Sequence, residues 1–333
     1  MDQVAPEKEK FPRKWSWFLT LGFALLMWIC AAIVSFKVDP EAAFWKRVVK
    51  LKQERVSMER EGGMEGPMIF VGGGSSCSFS IHPDVLTEVM GWRAVNMGGS
   101  AGMGYRYLID LAASRAERGD IVILHLEPAI FRGKEKRMTP LAVKVDLARF
   151  PTGLSGGVFE DELYEEPVAE RLAALRPGAK FLGTLAAKMV RSGPLYRYQL
   201  ADIRGNGTLS CKTSAPNPDV GSFKAMRHWL DDRVVQEDLR KLAEYAEERG
   251  VMIFFTLPWE SFRSEVLVAQ RDEHSAYLDG IAEHLPVLRD EMMGAVGDNS
   301  LFLDTGYHMT EEGGRLRTRV LAEALKPFSF KEE

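Results

Sequence analysis

The sequence predicts an α/β protein: a doubly wound parallel sheet in three flavodoxin-like layers, with a helical insertion and an N-terminal transmembrane helix. Three observations predict it. Apolar runs of strand length alternate with segments of helical length. Two of those runs, DIVILHL (120–126) and VMIFFTLP (251–258), are apolar without alternation, as strands buried on both faces are. Ahead of them, residues 15–36 form an apolar run without a single charge.

That run sets the compartment. At about 1.5 Å per helical residue it is long enough to cross a hydrocarbon layer of about 30 Å. Trp15, Trp17 and Phe36 place aromatic rings at both ends, where membrane interfaces favour them. The rival reading is a cleaved signal peptide, whose apolar region is normally shorter and followed by a small-x-small site that is not clear here. Trp28 and Ile29 before Cys30 argue against lipid attachment at that cysteine. Lys10, Arg13 and Lys14 precede the span, and Lys37 after it is offset by Asp39 and Glu41. This favours a cytoplasmic tail over 1–14, a single-pass anchor over 15–36 in the cytoplasmic (inner) membrane, and an extracytoplasmic C-terminal domain. Lys46, Arg47, Lys50, Lys52 and Arg55 weigh against that orientation.

Residues 37–66 read as a charged helical stalk lifting the domain off the bilayer, closed by EGGMEGP. The folded unit is expected over 67–327. Strands are expected at 68–71, 92–97, 120–126, 251–258 and 301–304, and helices at 82–90, 105–118, 231–249 and 311–325. Between them 132–220 reads as an insertion or lid, with helical stretches at 140–150, 164–175 and 180–191 followed by a polar loop.

The chain of 333 residues has a formal net charge of −4, which gives no global reason to expect nucleic-acid binding. Its three cysteines, Cys30, Cys77 and Cys211, fit no zinc pattern. A Cys77–Cys211 bridge stays open, although Cys77 reads better as a small buried hydrophobe. No His/Asp/Glu cluster has metal-ligand spacing, and no cofactor is implied.

The chemistry concentrates in two places. Gly72, Gly73, Gly74, Ser75 and Ser76 follow the first apolar strand, and three successive glycines permit positive-φ backbone or a ligand close to the main chain. The turn lacks G-x-G-x-x-G, a G-K-[ST] ending and the G-x-S-x-G elbow, so a plain structural turn competes with a phosphate cradle and a nucleophile site. Near the C-terminus, Asp304 and His308 precede a helix that Thr310 can cap and whose Gly313-Gly314 permits close packing. Ser76, His308 and Asp304 supply the parts of a serine hydrolase, in which an imidazole held by a carboxylate takes the proton of a hydroxyl. Carboxyl ends of strands in an open α/β sheet line the ligand crevice, and both places follow such ends. His82 reads as a residue at the start of a helix, His125 as a core histidine, and Trp259 and Glu260 as borders of the crevice.

On these residues the chain resembles the SGNH/GDSL hydrolase superfamily over roughly 67–131 and 250–326, in particular its membrane-anchored cell-envelope branch of D-alanine transfer and polysaccharide O-acetylation proteins. Gly74-Ser75-Ser76 resembles the G-D-S block, which implies Ser76 as nucleophile. Asn96-Met97-Gly98-Gly99-Ser100 resembles the second block, which implies the Gly98 N–H as an oxyanion donor. The segment HMTEEGGRLRT implies His308 as base. The third block's Asn is absent, with Glu127 near its position, and the acid usually found three residues before the histidine is replaced by Thr305. The resemblance implies a membrane-anchored esterase or acyltransferase acting on acyl, chiefly O-acetyl, esters of envelope polysaccharide. Gly74, Ser75, Gly98 and Glu127 would line the oxyanion and substrate site. The partners would be an envelope glycan or acyl-carrier substrate, the bilayer around residues 15–36, and a membrane O-acyltransferase. The alternative is a catalytically inactive accessory protein that binds a glycan or a membrane partner.

Overall fold

The computed structural model describes residues 13–62, 66–132, 138–146, 156–164, 183, 186, 196–210 and 230–328. The expected helices at 164–175 and 180–191 lie almost wholly outside these residues, as do Cys211 and most of the cytoplasmic tail.

Helix α1 (Arg13–Val38) holds one stretch, Ser16–Val34, long and apolar enough to cross a membrane. Asp39 then breaks the helix and caps the next, accepting from the N–H groups of Glu41 and Ala42. With Pro40 at its first position, α2 runs Pro40–Glu61, and Gly62 closes it. This is a correction to the stalk: Phe44, Trp45, Val48, Val49, Lys52 and Val56 form a buried stripe at helical spacing along α2. The helix is a layer of the domain.

The sheet is β1 (Met68–Gly73), β2 (Arg93–Asn96), β3 (Ile121–His125) and β4 (Met252–Thr256), all parallel, in the order β2-β1-β3-β4. Side chains alternate across it. Phe70, Val122, Leu124, Ile253 and Phe255 join one core, whose other walls include α5 (Tyr105–Ala113) and α8 (Arg233–Arg249). Ile69, Val71, Ile121, Ile123 and Phe254 join the other, against Leu86 of α4 (Pro83–Met90) and Leu321, Ala322 and Leu325 of α10 (Glu311–Leu325). A parallel sheet needs both faces covered, and these two cores cover them. The remaining described helices include the short α3 (Ser75–Ser80), α6 (Pro140–Asp146), α7 (Glu160–Tyr164) and α9 (Leu267–Ala282). A second, two-stranded sheet pairs β5 (Glu260–Ser261) with β6 (Ala295–Val296).

Two expectations fail for physical reasons. Residues 301–304 do not extend the sheet; Leu301 and Leu303 instead bond back across a turn, with Thr310 N–H to Leu301 O at 2.8 Å and Leu303 N–H to His308 O at 2.7 Å. Only an isolated antiparallel bridge, Phe302 to Met309, results. Nor do Gly72, Gly73 and Gly74 take positive φ. They are needed for space: a Cβ on Gly73 would stand 2.0 Å from His125 O, and one on Gly72 2.7 Å from the Ala112 side chain.

Gly73→Ala is therefore expected to destabilise the fold by more than about 3 kcal/mol, since backbone must move to admit the methyl. Gly91→Ala is the comparison. Gly91 sits at φ 73° with open space around it, so it should cost only about 1 kcal/mol. Urea unfolding of the two variants in detergent gives the contrast, and equal midpoints would refute it.

Candidate active site

The Sheet order turns between β1 and β3, the position at which open α/β sheets form a crevice at their carboxyl ends. Ser75 follows β1 there and Glu127 follows β3. Ser75 is the first residue of α3, with Gly74 at the N-cap, and is half-buried, whereas Ser76 is fully buried.

The histidine meets Ser75. Its Nε2 lies 2.9 Å from Ser75 Oγ, and its Nδ1 lies 2.8 Å from Asp304 Oδ1. The Ser76 hydroxyl, the nucleophile expected from the sequence, has no hydrogen-bond partner among the described residues. Ser75, rather than the Ser76 singled out from the sequence, is the serine whose hydroxyl meets the histidine. Acid and base face each other because the chain from Asp304 to His308 forms a tight turn. Thr305 Oγ1 stabilises it by accepting from the N–H groups of Tyr307 and His308, at 3.3 and 3.1 Å. Thr305 thus shapes the loop, and Asp304, one residue further back, reaches the ring. Thr310 caps α10 as expected, accepting from Gly313 N–H at 3.1 Å. Gly313 and Gly314 let that helix close on its neighbours: Cβ atoms there would stand 2.5 Å from Leu301 O and 2.7 Å from His82 Nε2.

The pair is further held by residues that the sequence did not single out. Tyr198 donates from its hydroxyl to Asp304 Oδ2 at 2.9 Å and lies 3.1 Å from His308 Nδ1. Arg197 pairs with the same Asp304 oxygen at 2.9 Å. The His308 ring stacks on Phe79 of α3, centroids 4.2 Å apart. Burial alone would raise the Asp304 pKa, but the hydrogen bonds from His308 and Tyr198 and the charges of His308 and Arg197 outweigh it and hold the carboxyl at about 2. Asp304 therefore stays ionised at every physiological pH. Tyr198 and Arg197 come from the insertion, and no pattern around them in the sequence marks them as partners of a distant turn.

The oxyanion expectations fare differently. The Gly98 N–H donates to Asn96 Oδ1 at 2.9 Å and is already committed. Gly99 N–H likewise bonds Gly73 O. Glu127 lies against the turn: its carboxylate oxygens would be 2.8 and 2.9 Å from a Cβ on Gly74, and Oε1 accepts from Ser76 N–H at 3.4 Å. Glu127 Oε2 has no partner among the described residues. Glu260, at the start of β5, has its pKa pushed up to about 8 by burial, against a Tyr307 hydrogen bond and with Glu127's charge adding to the rise. Two buried carboxyl groups that feel each other's charge, Glu127 and Glu260, thus lie beside the serine turn.

His82 and His125 are both buried, with ring nitrogens that find no partner among the described residues. Burial pushes His125 well below the ordinary histidine range, and His82 to about 4. Trp259 donates to Asp290 at 3.0 Å and is a packing residue. Cys77 is free and buried, its thiol pushed up to about 12 chiefly by that burial. Among the described residues no group of His, Cys, Asp and Glu could hold a metal.

Beneath α3, Lys52 of α2 donates to Gly98 O at 2.6 Å, Asn96 Oδ1 at 3.0 Å and Ser78 Oγ at 3.3 Å. Burial lowers its pKa to about 7. Below that pH the ammonium is charged in both folded and unfolded chains, and its burial costs in full. Between about 7 and the ordinary lysine value near 10.4, the unfolded chain holds a proton that the folded chain has released. Stability should therefore rise with pH in that window, by up to about 1.4 kcal/mol per unit. Lys52→Met should lack the rise. Thermal melts of both proteins from pH 7 to 10 provide the check, and parallel curves would refute it.

No protein-family model matches the chain, and no curated protein is significantly similar to it.

Proposed function

We propose that the chain is a membrane-anchored serine esterase or acyltransferase of SGNH type, acting on acyl esters of cell-envelope polysaccharide with Ser75 as nucleophile. One observation carries the reading: the unbroken line Ser75 Oγ, His308 and Asp304, with contacts of 2.9 and 2.8 Å. Ser75 Oγ attacks the ester carbonyl as its proton passes to His308 Nε2, while Asp304 holds the proton on Nδ1 and balances the imidazolium. The tetrahedral intermediate collapses, the C–O bond to the leaving alcohol breaks, and His308 returns the proton to that oxygen. Water or a glycan hydroxyl, deprotonated by His308, then takes the acyl group; the acyl–Oγ bond breaks and His308 returns the proton to Ser75 Oγ. The Ser75 N–H, in the first turn of α3, has no intrahelical acceptor and supports the oxyanion.

A second reading, the catalytically silent accessory protein, is favoured by Glu127 beside Ser76 N–H and by the commitment of Gly98 N–H. A fluorophosphonate probe and a chromogenic acetyl ester decide between them on the full-length protein in detergent. The enzyme reading expects labelling and turnover in the wild type and loss of both in His308→Ala. Absence of both from well-folded wild type leaves the accessory reading.

A further inference from the structure

The anchor and the catalytic turn are joined by a short run of rings. Phe44 and Trp45 lie in the first two turns of α2, directly after the anchor helix ends at Val38. The Phe44 ring stands 5.4 Å from Tyr196 and 6.1 Å from Tyr198, and the Trp45 indole N–H donates to Tyr196 Oη at 2.9 Å. The Tyr198 ring in turn stands 5.9 Å from His308. Adding at most about 7 Å for the extended step from Val38 to Pro40, about 6 Å of helix rise to Phe44 and the reach of its side chain, His308 lies within about 30 Å of the end of the anchor helix.

The domain also sits down on the anchor. Ala32, inside the apolar stretch Ser16–Val34, is 7% exposed and belongs to the same core cluster as Phe44, Trp45 and Val48. Lys144 of α6 fastens the junction by pairing with Asp39 at 2.7 Å. On the loop that carries Tyr198, Leu200 presents an apolar side chain that is 57% exposed. A domain built to work in bulk solvent has no need of a core continuous with its anchor. One that meets its substrate at the bilayer does.

We propose that the Ser75 turn opens at the membrane surface and that its acyl ester is lipid-borne, carried on a headgroup or a lipid-linked sugar rather than on a free glycan. This rests on the hydrolase reading. Ser75 and His308 then act on an ester confined to the same plane, and two-dimensional confinement supplies an effective concentration that a soluble ester lacks. Tyr196, Arg197 and Tyr198 stand between α2 and His308, where such a headgroup would arrive.

The experiment uses the full-length chain in lipid nanodiscs with two esters of one acetylated sugar, water-soluble or attached to a lipid in the same disc. A rigid spacer of four Glu-Ala-Ala-Ala-Lys repeats, about 30 Å long where helical, is inserted between Val38 and Asp39, separating Ala32 from α2 while leaving the packing of α2 on the rest of the domain in place. Wild type should prefer the lipid-borne ester. The spacer should lower turnover of that ester at least tenfold and leave the soluble ester within about twofold, the second result showing that the domain still folds. Equal turnover of the lipid-borne ester with and without the spacer, or a wild-type preference for the soluble ester, overturns the proposal. Failure of the wild type on both esters overturns the hydrolase reading, and the proposal with it.

Discussion

Ser75→Ala is expected to abolish fluorophosphonate labelling and to lower ester turnover on the order of 10⁴–10⁶-fold, the scale seen when a serine hydrolase loses its nucleophile. Ser76→Ala is expected to retain labelling and most of the turnover. The difference follows from position. Ser75 Oγ shares a hydrogen bond of 2.9 Å with His308 Nε2, and the residue is half-buried, within reach of a substrate. The Ser76 hydroxyl is fully buried and has no partner among the described residues, so its replacement by a methyl removes an unsatisfied group and leaves stability almost unchanged. Both variants should melt within a few degrees of wild type. Labelling that survives in Ser75→Ala and vanishes in Ser76→Ala would reverse the assignment.

The sequence located this serine turn but singled out Ser76, whereas Ser75 is the residue that meets His308, and helix geometry explains why. Ser75 and Ser76 are consecutive residues of one helical turn, and their side chains point about 100° apart. Which one faces the histidine depends on where α3 begins, and that is set by Gly74 at the N-cap. Nothing local marks Gly74 rather than Gly73 as the cap. The tie-breaking contacts are distant: His125 O presses on Gly73 and the Glu127 carboxylate on Gly74. Asp304 and His308 were easier to find because one local turn, held by Thr305, brings them together.

The strands β1, β3 and β4 were legible because strands buried on both faces read as near-continuous apolar runs. The helices α4, α8 and α10 were legible because proline, glycine and threonine mark their ends. The role of α2 was not. Its buried stripe is interrupted by a lysine, and a charged amphipathic helix after an anchor reads as solvated. Only three acceptors brought from β2 and its neighbouring turn and helix make Lys52 a buried residue. Tyr198 and Arg197 were invisible for a related reason: they meet Asp304 across more than a hundred residues of chain.

Glu127→Gln is expected to raise turnover by about tenfold to a thousandfold. The carboxylate of Glu127 borders Gly74 and takes the Ser76 N–H at 3.4 Å, beside the place where the oxyanion must develop. Two unit charges about 4 Å apart repel by about 4 kcal/mol at an effective dielectric of 20, close to a thousandfold in rate. Glutamine keeps the shape, removes the charge and adds an N–H of the kind an oxyanion site uses. It also relieves Glu260, whose raised pKa reflects burial first and the charge of Glu127 after it. Glu127→Ala separates the two contributions. Loss of charge alone should raise turnover less than the glutamine does, because no donor takes its place. Initial rates with an acetyl ester, read alongside fluorophosphonate labelling rates, give the order glutamine above alanine above glutamate. A glutamine variant slower than wild type would mean that the carboxylate itself serves the reaction, as a proton acceptor or as a partner for a cationic group on the substrate.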